Sequence, residues 1–162
     1  MAFGKAEEPP PKLTHVSLID VVDDVFDGER LAIGDFDLSL SEDIPAGLSL
    51  RADPEQLFRV ISNLVRNARQ VIVARGERAE ISVAAHEDTS AWYIQVADTG
   101  PGLPSKAQEH LFQPFQGGIR KGGSGLGLAI SSELIRGHGG SLSLVGTGET
   151  GTTFEICLPK GD

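Results

Sequence analysis

The sequence predicts an α+β fold, a mixed and mainly antiparallel sheet with helices on one face. Two pairs of alternating apolar runs, over 81–96 and 142–158, read as hairpins. A helical repeat of about five turns precedes the first pair, and a shorter one precedes the second. Helices therefore accompany hairpins and do not alternate strictly with single strands, which excludes a doubly wound parallel sheet. The 162 residues suffice for one sizeable core and not for two.

Each element has a local reason. Pro9-Pro10-Pro11 reads as an extended linker, so 1–11 is assigned to a linker and 12–162 to the globular unit. Ser17-Leu-Ile-Asp20 reads as a capping box, with Leu18, Val22, Val25 and Phe26 at helical spacing behind it and Gly28 weakening the tail. Phe36, Leu38 and Leu40 alternate with Asp35, Asp37 and Ser39 as a half-buried strand, and Leu48-Ser-Leu50 is a second, shorter one. Asp53-Pro54-Glu55-Gln56 is a strong helix start: a cap, a proline at the first position, and Gln three after the cap. Leu57, Val60, Ile61, Leu64, Ala68, Val71 and Ile72 continue it, and Gly76 ends it. Ile81-Val83-Ala85 and Trp92-Ile94-Val96 form the first hairpin. Residues 98–127 are mostly loop, with a short helix near Ser105–Leu111. Leu126, Ala129, Ile130 and Leu134 return to helical spacing, ending at Gly137, before Leu142-Leu144 and Phe154-Ile156-Leu158 close the second hairpin.

Composition narrows the function. Fourteen Lys and Arg against 23 Asp and Glu give a net charge of −9, so a nucleic-acid partner is not expected. An anionic ligand would have to be held by local amides and a metal. The single Cys excludes an internal disulfide framework and suits a reducing, cytoplasmic compartment. No apolar run approaches the length of about 18 residues that spans a bilayer. Glycine reaches about 12%, against a usual 7% or so, and its placement carries the chemistry.

On the long helix, Asn63, Asn67 and Gln70 share one stripe beside the apolar face. Such a stripe is either a solvated polar face or a wall of carboxamide oxygens suited to Mg²⁺. Asp98-Thr-Gly100-Pro-Gly102 follows a buried strand; it is either a turn or a carboxylate that must find a donor, such as adenine's exocyclic amine. Gly117-Gly118 and Gly122-Gly123-Ser-Gly125-Leu126-Gly127 run into a helix, where amides and the helix dipole favour phosphate. The spacing is neither a Walker A loop, whose lysine position holds Gly123, nor a dinucleotide fingerprint. Gly146 to Phe154 reads by itself as a hairpin turn.

Taken in order, these segments resemble the ATP-binding catalytic domain of bacterial sensor histidine kinases, within the superfamily of DNA gyrase, MutL and the heat-shock chaperone ATPases. Asn63-Leu-Val-Arg-Asn67-Ala resembles the asparagine box, Asp98-Thr-Gly100-Pro-Gly102 the first glycine box, and Leu111-Phe-Gln-Pro-Phe115 the phenylalanine box. Gly123-Ser-Gly125-Leu126-Gly127-Leu is similar to the second glycine box, and Gly151-Thr152-Thr-Phe154 to the closing one. The resemblance covers residues 14–159. It implies a two-layer α/β sandwich of the Bergerat type, with ATP between the helical layer and a mobile lid over 116–122. By resemblance Asn67 ligates Mg²⁺ and Asn63 supports it, while Asp98 accepts from the adenine amine with Thr152 beside it. Gly123, Gly125, Leu126 and Gly127 meet the phosphates, with Gly100, Gly102 and Gln70 completing the nucleotide contacts. Arg120 and Lys121 are the lid cations.

This chain departs from the pattern twice. Gln70 stands where many members carry Lys, leaving Arg66, Arg69, Arg120 and Lys121 as replacements among which the sequence does not choose. Val71 stands where many carry an aromatic residue. The phosphoacceptor is also missing. Only His86 precedes an acidic residue, Glu87, and it sits at a strand end without the family's surrounding helix; His15 and His138 read as surface or packing residues. Cys157 and Trp92 read as core. The expected function is thus the phosphoryl-donating half of a histidine autokinase, a piece of a larger protein whose dimerisation domain carries the histidine. The fragment would be monomeric and its parent a homodimer, membrane-anchored or not, that acts on a response regulator. An ATP hydrolase of the same superfamily would need a Glu at Asn63 as general base. A serine kinase of the anti-sigma type fits the asparagine pair less well, and a degenerate docking domain would have lost Asp98 or the glycines.

Overall fold

The computed structural model describes residues 9–112 and 124–161. Strand β1 (Thr14–Ser17) leads into helix α1 (Leu18–Ile33), followed by β2 (Leu38–Asp43), β3 (Ser49–Ala52) and α2 (Pro54–Arg75). The hairpin β4 (Ala79–Glu87) and β5 (Ala91–Asp98) comes next, then the short α3 (Ser105–Glu109), α4 (Ser124–Gly137), β6 (Ser141–Gly148) and β7 (Gly151–Pro159). Five strands form one sheet in the order β2-β4-β5-β7-β6, in which only β2 and β4 run parallel. The mixed, mainly antiparallel sheet matches the predicted class.

Alternation decides the two faces. Ile81 and Val83, Ile94 and Val96, Ile156 and Leu158, and Leu142 are buried in one cluster with Leu18, Val22 and Phe26 of α1. Leu57, Val60, Ile61 and Leu64 of α2 and Leu134 and Ile135 of α4 complete it. Burying each such side chain is worth about 1.5–3 kcal/mol, so this shared cluster fixes the helical layer onto the sheet. The opposite face is polar: His86 stacks on Tyr93, and Gln95 Nε2 donates to Glu155 Oε2 at 2.9 Å.

The structure corrects or extends the sequence reading at several points. Ser17 is the N-cap of α1, but its side chain makes no capping hydrogen bond, so the capping box does not form. Gly28, read as weakening the tail of α1, lies inside a helix that runs on to Ile33, with Glu29 buried against α2. Thr14–Ser17 form a strand the sequence did not announce, pairing antiparallel with β3 outside the main sheet. Cys157 alternates with buried Ile156 and Leu158 and therefore faces the other side of the sheet, half-buried, where desolvation raises its thiol pKa. Trp92 is partly buried against the core, with Lys160 Nζ 5.4 Å from its ring centroid.

Candidate nucleotide site

At the end of β5, Asp98 faces the helical layer, on the same side as Ile94 and Val96. Its Oδ1 accepts from Gly100 N at 2.8 Å. Burial raises the Asp98 pKa, while the backbone N–H groups of Gly100 and Thr152 pull it down. Such a carboxylate is short of solvent and can take one more donor. Its cross-strand partner on β7 is Thr152, buried, and the next partner on β6 is Thr147.

The glycines of this region are required by contact. A Cβ on Gly151, at φ 137°, would stand 1.9 Å from the Asp98 carbonyl oxygen. A Cβ on Gly102 would stand 2.3 Å from the Gly148 carbonyl oxygen. The loop after β5 thus lies directly on the β6–β7 turn, and Leu103 N donates to Thr147 Oγ1 at 2.8 Å. On its other side Gly100 is buried against Ile72 of α2. One loop therefore joins the sheet end to the asparagine-bearing helix.

On α2, the Asp53 carboxylate caps the helix by accepting from Glu55 N and Gln56 N. Farther along, Asn63 Nδ2 donates to Ser131 Oγ of α4 at 3.2 Å, and Asn63 Oδ1 accepts from Arg66 Nη2. At the start of α2, Asp53 N donates to His138 Nε2, just beyond α4. These two contacts set α2 and α4 antiparallel. Four residues beyond Asn63 along α2 comes level with four residues before Ser131 along α4, so Asn67 stands level with Gly127 in the first turn of α4. Asn67 Nδ2 is buried and has no hydrogen-bond partner among the described residues. A buried amide without a partner costs about 1–3 kcal/mol and calls for an explanation.

Among the predicted residues, the structure joins Asp98, Gly100, Gly102 and Thr152 around the end of β5, and sets Asn63 and Asn67 on the α4 side of α2. Gln70 is exposed on the same stripe. Gly125, Leu126 and Gly127 lie in the first turn of α4. Arg120, Lys121 and Gly123, the 116–122 lid and Gln113 to Phe115 of the phenylalanine box lie outside the described residues. Arg69 is removed from the candidates for phosphate charge: its Nε pairs with Glu29 of α1. Arg66, bonded to Asn63, remains. Sequence reasoning missed Ser131 and Thr147. A fully buried Ser on the apolar stripe between Leu128 and Leu134 was a visible signal for the first; the hairpin reading concealed the second.

Residues 52–162 match the family model of the histidine kinase-, DNA gyrase B-, and HSP90-like ATPases, more than half of the chain. The chain belongs to that family. Within this ATPase family it is similar to the sensory histidine kinase/phosphatase NtrB of Salmonella typhimurium, 39% identical over 142 residues, covering 82% of this chain and 38% of NtrB. It is 35% identical over 122 residues to the sensor protein TorS of Escherichia coli, covering 75% of this chain and 13% of TorS. The chain thus spans well under half the length of these relatives. Among solved structures, the nucleotide-free catalytic domain of histidine kinase ThkA superposes with a TM-score of 0.79 at 26% identity, covering 92% of this chain and 98% of that one. ThkA in complex with its response regulator TrrA gives 0.73, covering 92% of this chain and 42% of that one. Full-length ShkA in complex with AMPPNP gives 0.77 at 25% identity, covering 91% of this chain and 31% of that one. As in these members of the ATPase family, the fold here is an ATP-binding catalytic domain of the sensor histidine kinase kind.

Proposed function

We propose that this chain binds ATP with Mg²⁺ and donates the γ-phosphate to a histidine on a separate dimerisation domain of its parent kinase. The observation that carries the reading is Asn67, whose buried Nδ2, unpartnered among the described residues, stands level with the first turn of α4. Its nitrogen would donate to a phosphate oxygen, and its oxygen is the hard, neutral donor that Mg²⁺ accepts. The ion, when bound, offsets charge on the phosphates. Asp98 and Thr152 would hold the adenine, the amides of Gly123, Gly125, Leu126 and Gly127 the phosphates, and Arg66, Arg120 and Lys121 would supply cationic charge in place of the lysine absent at Gln70. Asn63 cannot take a proton, and both ends of its amide are occupied by Ser131 and Arg66, so it does not activate water. That favours phosphotransfer over hydrolysis.

ThkA bound to TrrA supports a response regulator as the eventual acceptor of the parent's phosphate. Among the described residues no helix is long and apolar enough to cross a membrane. A cytoplasmic location, a homodimeric parent and a monomeric isolated chain complete the reading, with residues 1–11 as the link to the dimerisation domain.

Mixing this chain with the separately expressed dimerisation domain and γ-labelled ATP tests it. Acid-labile label is expected on the partner, and none when Asn67→Ala replaces the unmodified chain. Asn67→Ala should cost about 1 kcal/mol or less of stability, since its Nδ2 makes no hydrogen bond to lose among the described residues. Label that survives Asn67→Ala would remove the metal role, and steady ATP hydrolysis without the partner would favour the hydrolase.

A further inference from the structure

Asp98, Thr152 and Thr147 are direct cross-strand neighbours on β5, β7 and β6 and form one polar row on the helix-facing side of the sheet end. Thr147 Oγ1 accepts from Leu103 N at 2.8 Å and lies 2.9 Å from Thr152 Oγ1. We infer that Thr147 is a specificity-determining residue: it fixes the direction of the Thr152 hydroxyl so that the site selects adenine over a 6-oxopurine. This rests on the nucleotide reading above and adds a residue to it.

The step from geometry to selectivity is the polarity of a hydroxyl chain. Once Thr147 Oγ1 accepts the Leu103 N–H, its own proton becomes a stronger donor, because linked hydrogen bonds polarise one another. Its only hydroxyl neighbour among the described residues is Thr152. With Thr147 donating to it, Thr152 Oγ1 is an acceptor on that side and must send its proton elsewhere. Among the described residues no other group accepts that proton, and Thr152 is buried. The row then presents an acceptor, the Asp98 carboxylate, beside a donor, the Thr152 hydroxyl. Adenine offers the complement: an exocyclic amine donor beside ring N1, an acceptor. Guanine and hypoxanthine offer the reverse, a carbonyl beside an N1–H. A water between Thr152 and the base preserves the order, since it accepts from one and donates to the other. Without Thr147, the Thr152 hydroxyl is free to turn and accept from N1–H, and half of the discrimination is lost. The Leu103 bond and the contact of Gly102 with Gly148 hold the β5 loop against the same turn, which keeps the row in register.

Calorimetry on the isolated chain with Mg²⁺ and either ATP or inosine triphosphate tests this. Thr147→Val keeps the shape and removes the hydroxyl; the ATP-to-inosine-triphosphate affinity ratio should fall about fivefold, the worth of one neutral hydrogen bond. Thr147→Ser should restore the ratio to within about twofold. In the unmodified chain, 1-deaza-ATP, which has C–H in place of N1, should bind about fivefold more weakly than ATP, a measurement that does not depend on any variant folding. A Thr147→Val chain that binds both nucleotides more weakly at an unchanged ratio would make Thr147 a structural clamp only. Equal affinity for 1-deaza-ATP and ATP would overturn the donor assignment. An unmodified chain that binds neither nucleotide would instead overturn the nucleotide reading itself.

Discussion

Burial raises the pKa of Asp98 above its ordinary value of 3.8, and the backbone N–H groups of Gly100 and Thr152 only partly offset it. A carboxyl whose pKa is higher folded than unfolded favours folding while it is protonated. That contribution is fully present below the unfolded value and is lost as pH rises through the folded one. At neutral pH the ionised Asp98 therefore works against stability, and its retention needs a functional reason. Asp98→Asn keeps the shape and an acceptor oxygen without the charge. It should be at least as stable as the unmodified chain at about pH 7, with the advantage shrinking as pH falls through the raised folded pKa and gone below about pH 4. It should nonetheless lose about 1.5–3 kcal/mol of ATP affinity, the worth of a hydrogen bond to a charged group. Thermal melts at the two pH values and calorimetry with ATP check this. A variant that melts early at neutral pH would show that Asp98 is structural. At this same scale the sequence was most informative. Asp98, with glycines two and four residues on, has few local uses, whereas Ser131 and Thr147 acquire meaning only from partners across space.

At the scale of elements, α1 and α2 are joined by an ion pair that no local pattern could disclose. Glu29 and Arg69 are 40 residues apart, and the sequence offered Arg69 only as a candidate for phosphate charge, yet Glu29 is buried and Arg69 keeps only 18% side-chain exposure. Arg69→Ala leaves a buried carboxylate without its cation. The cost should be about 2–4 kcal/mol, somewhat less than for a fully buried pair because Arg69 is partly solvated. Replacing both with leucine should recover most of the loss, since paired burial of charge is seldom better than apolar packing. Urea denaturation of the single and double variants separates the two terms; a double variant as weak as Arg69→Ala would assign the cost to packing. ATP affinity should be unchanged, because the pair lies on the α1 side of α2, away from Asn67. The same reasoning explains which elements were legible. Helix α2 declares itself by its cap, its proline and its repeat, and both hairpins by alternation. Strand β1 has four residues, one of them buried, and exists only because Thr14–Ser17 meet β3 some 35 residues later. The side of the sheet that Cys157 faces was legible from its neighbours Ile156 and Leu158, and its residue type obscured it.

The whole molecule brings together a sheet end, α2 and α4, and its geometry depends on how α4 sits against α2. Two hydrogen bonds set that placement: Asn63 to Ser131 near the site, and Asp53 to His138 at the far end. The far bond is built into a larger knot. Asp53 is also the cap of α2 and accepts from Lys12 N, while Gln56 Nε2 donates to Pro9 O, so the entering chain, the start of α2 and the end of α4 close on one another. His138 Nδ1 lies 2.9 Å from Leu134 O and must donate to it; Nε2 is then left as the acceptor for Asp53 N, which requires the neutral ring. His138→Ala removes both partners and leaves a part-buried N–H unsatisfied, at a cost of about 1–3 kcal/mol. If the far pin helps to hold α4 in register with α2, ATP affinity should also fall, by less than Asp98→Asn causes, even though no atom of His138 is near Asp98 or Asn67 in sequence or along the helices. Urea denaturation gives the stability term, and calorimetry under conditions where the variant is fully folded gives the affinity. A destabilised variant that binds ATP as tightly as the unmodified chain would show that the Asn63–Ser131 contact alone sets the site, and that the knot at Asp53 serves folding only.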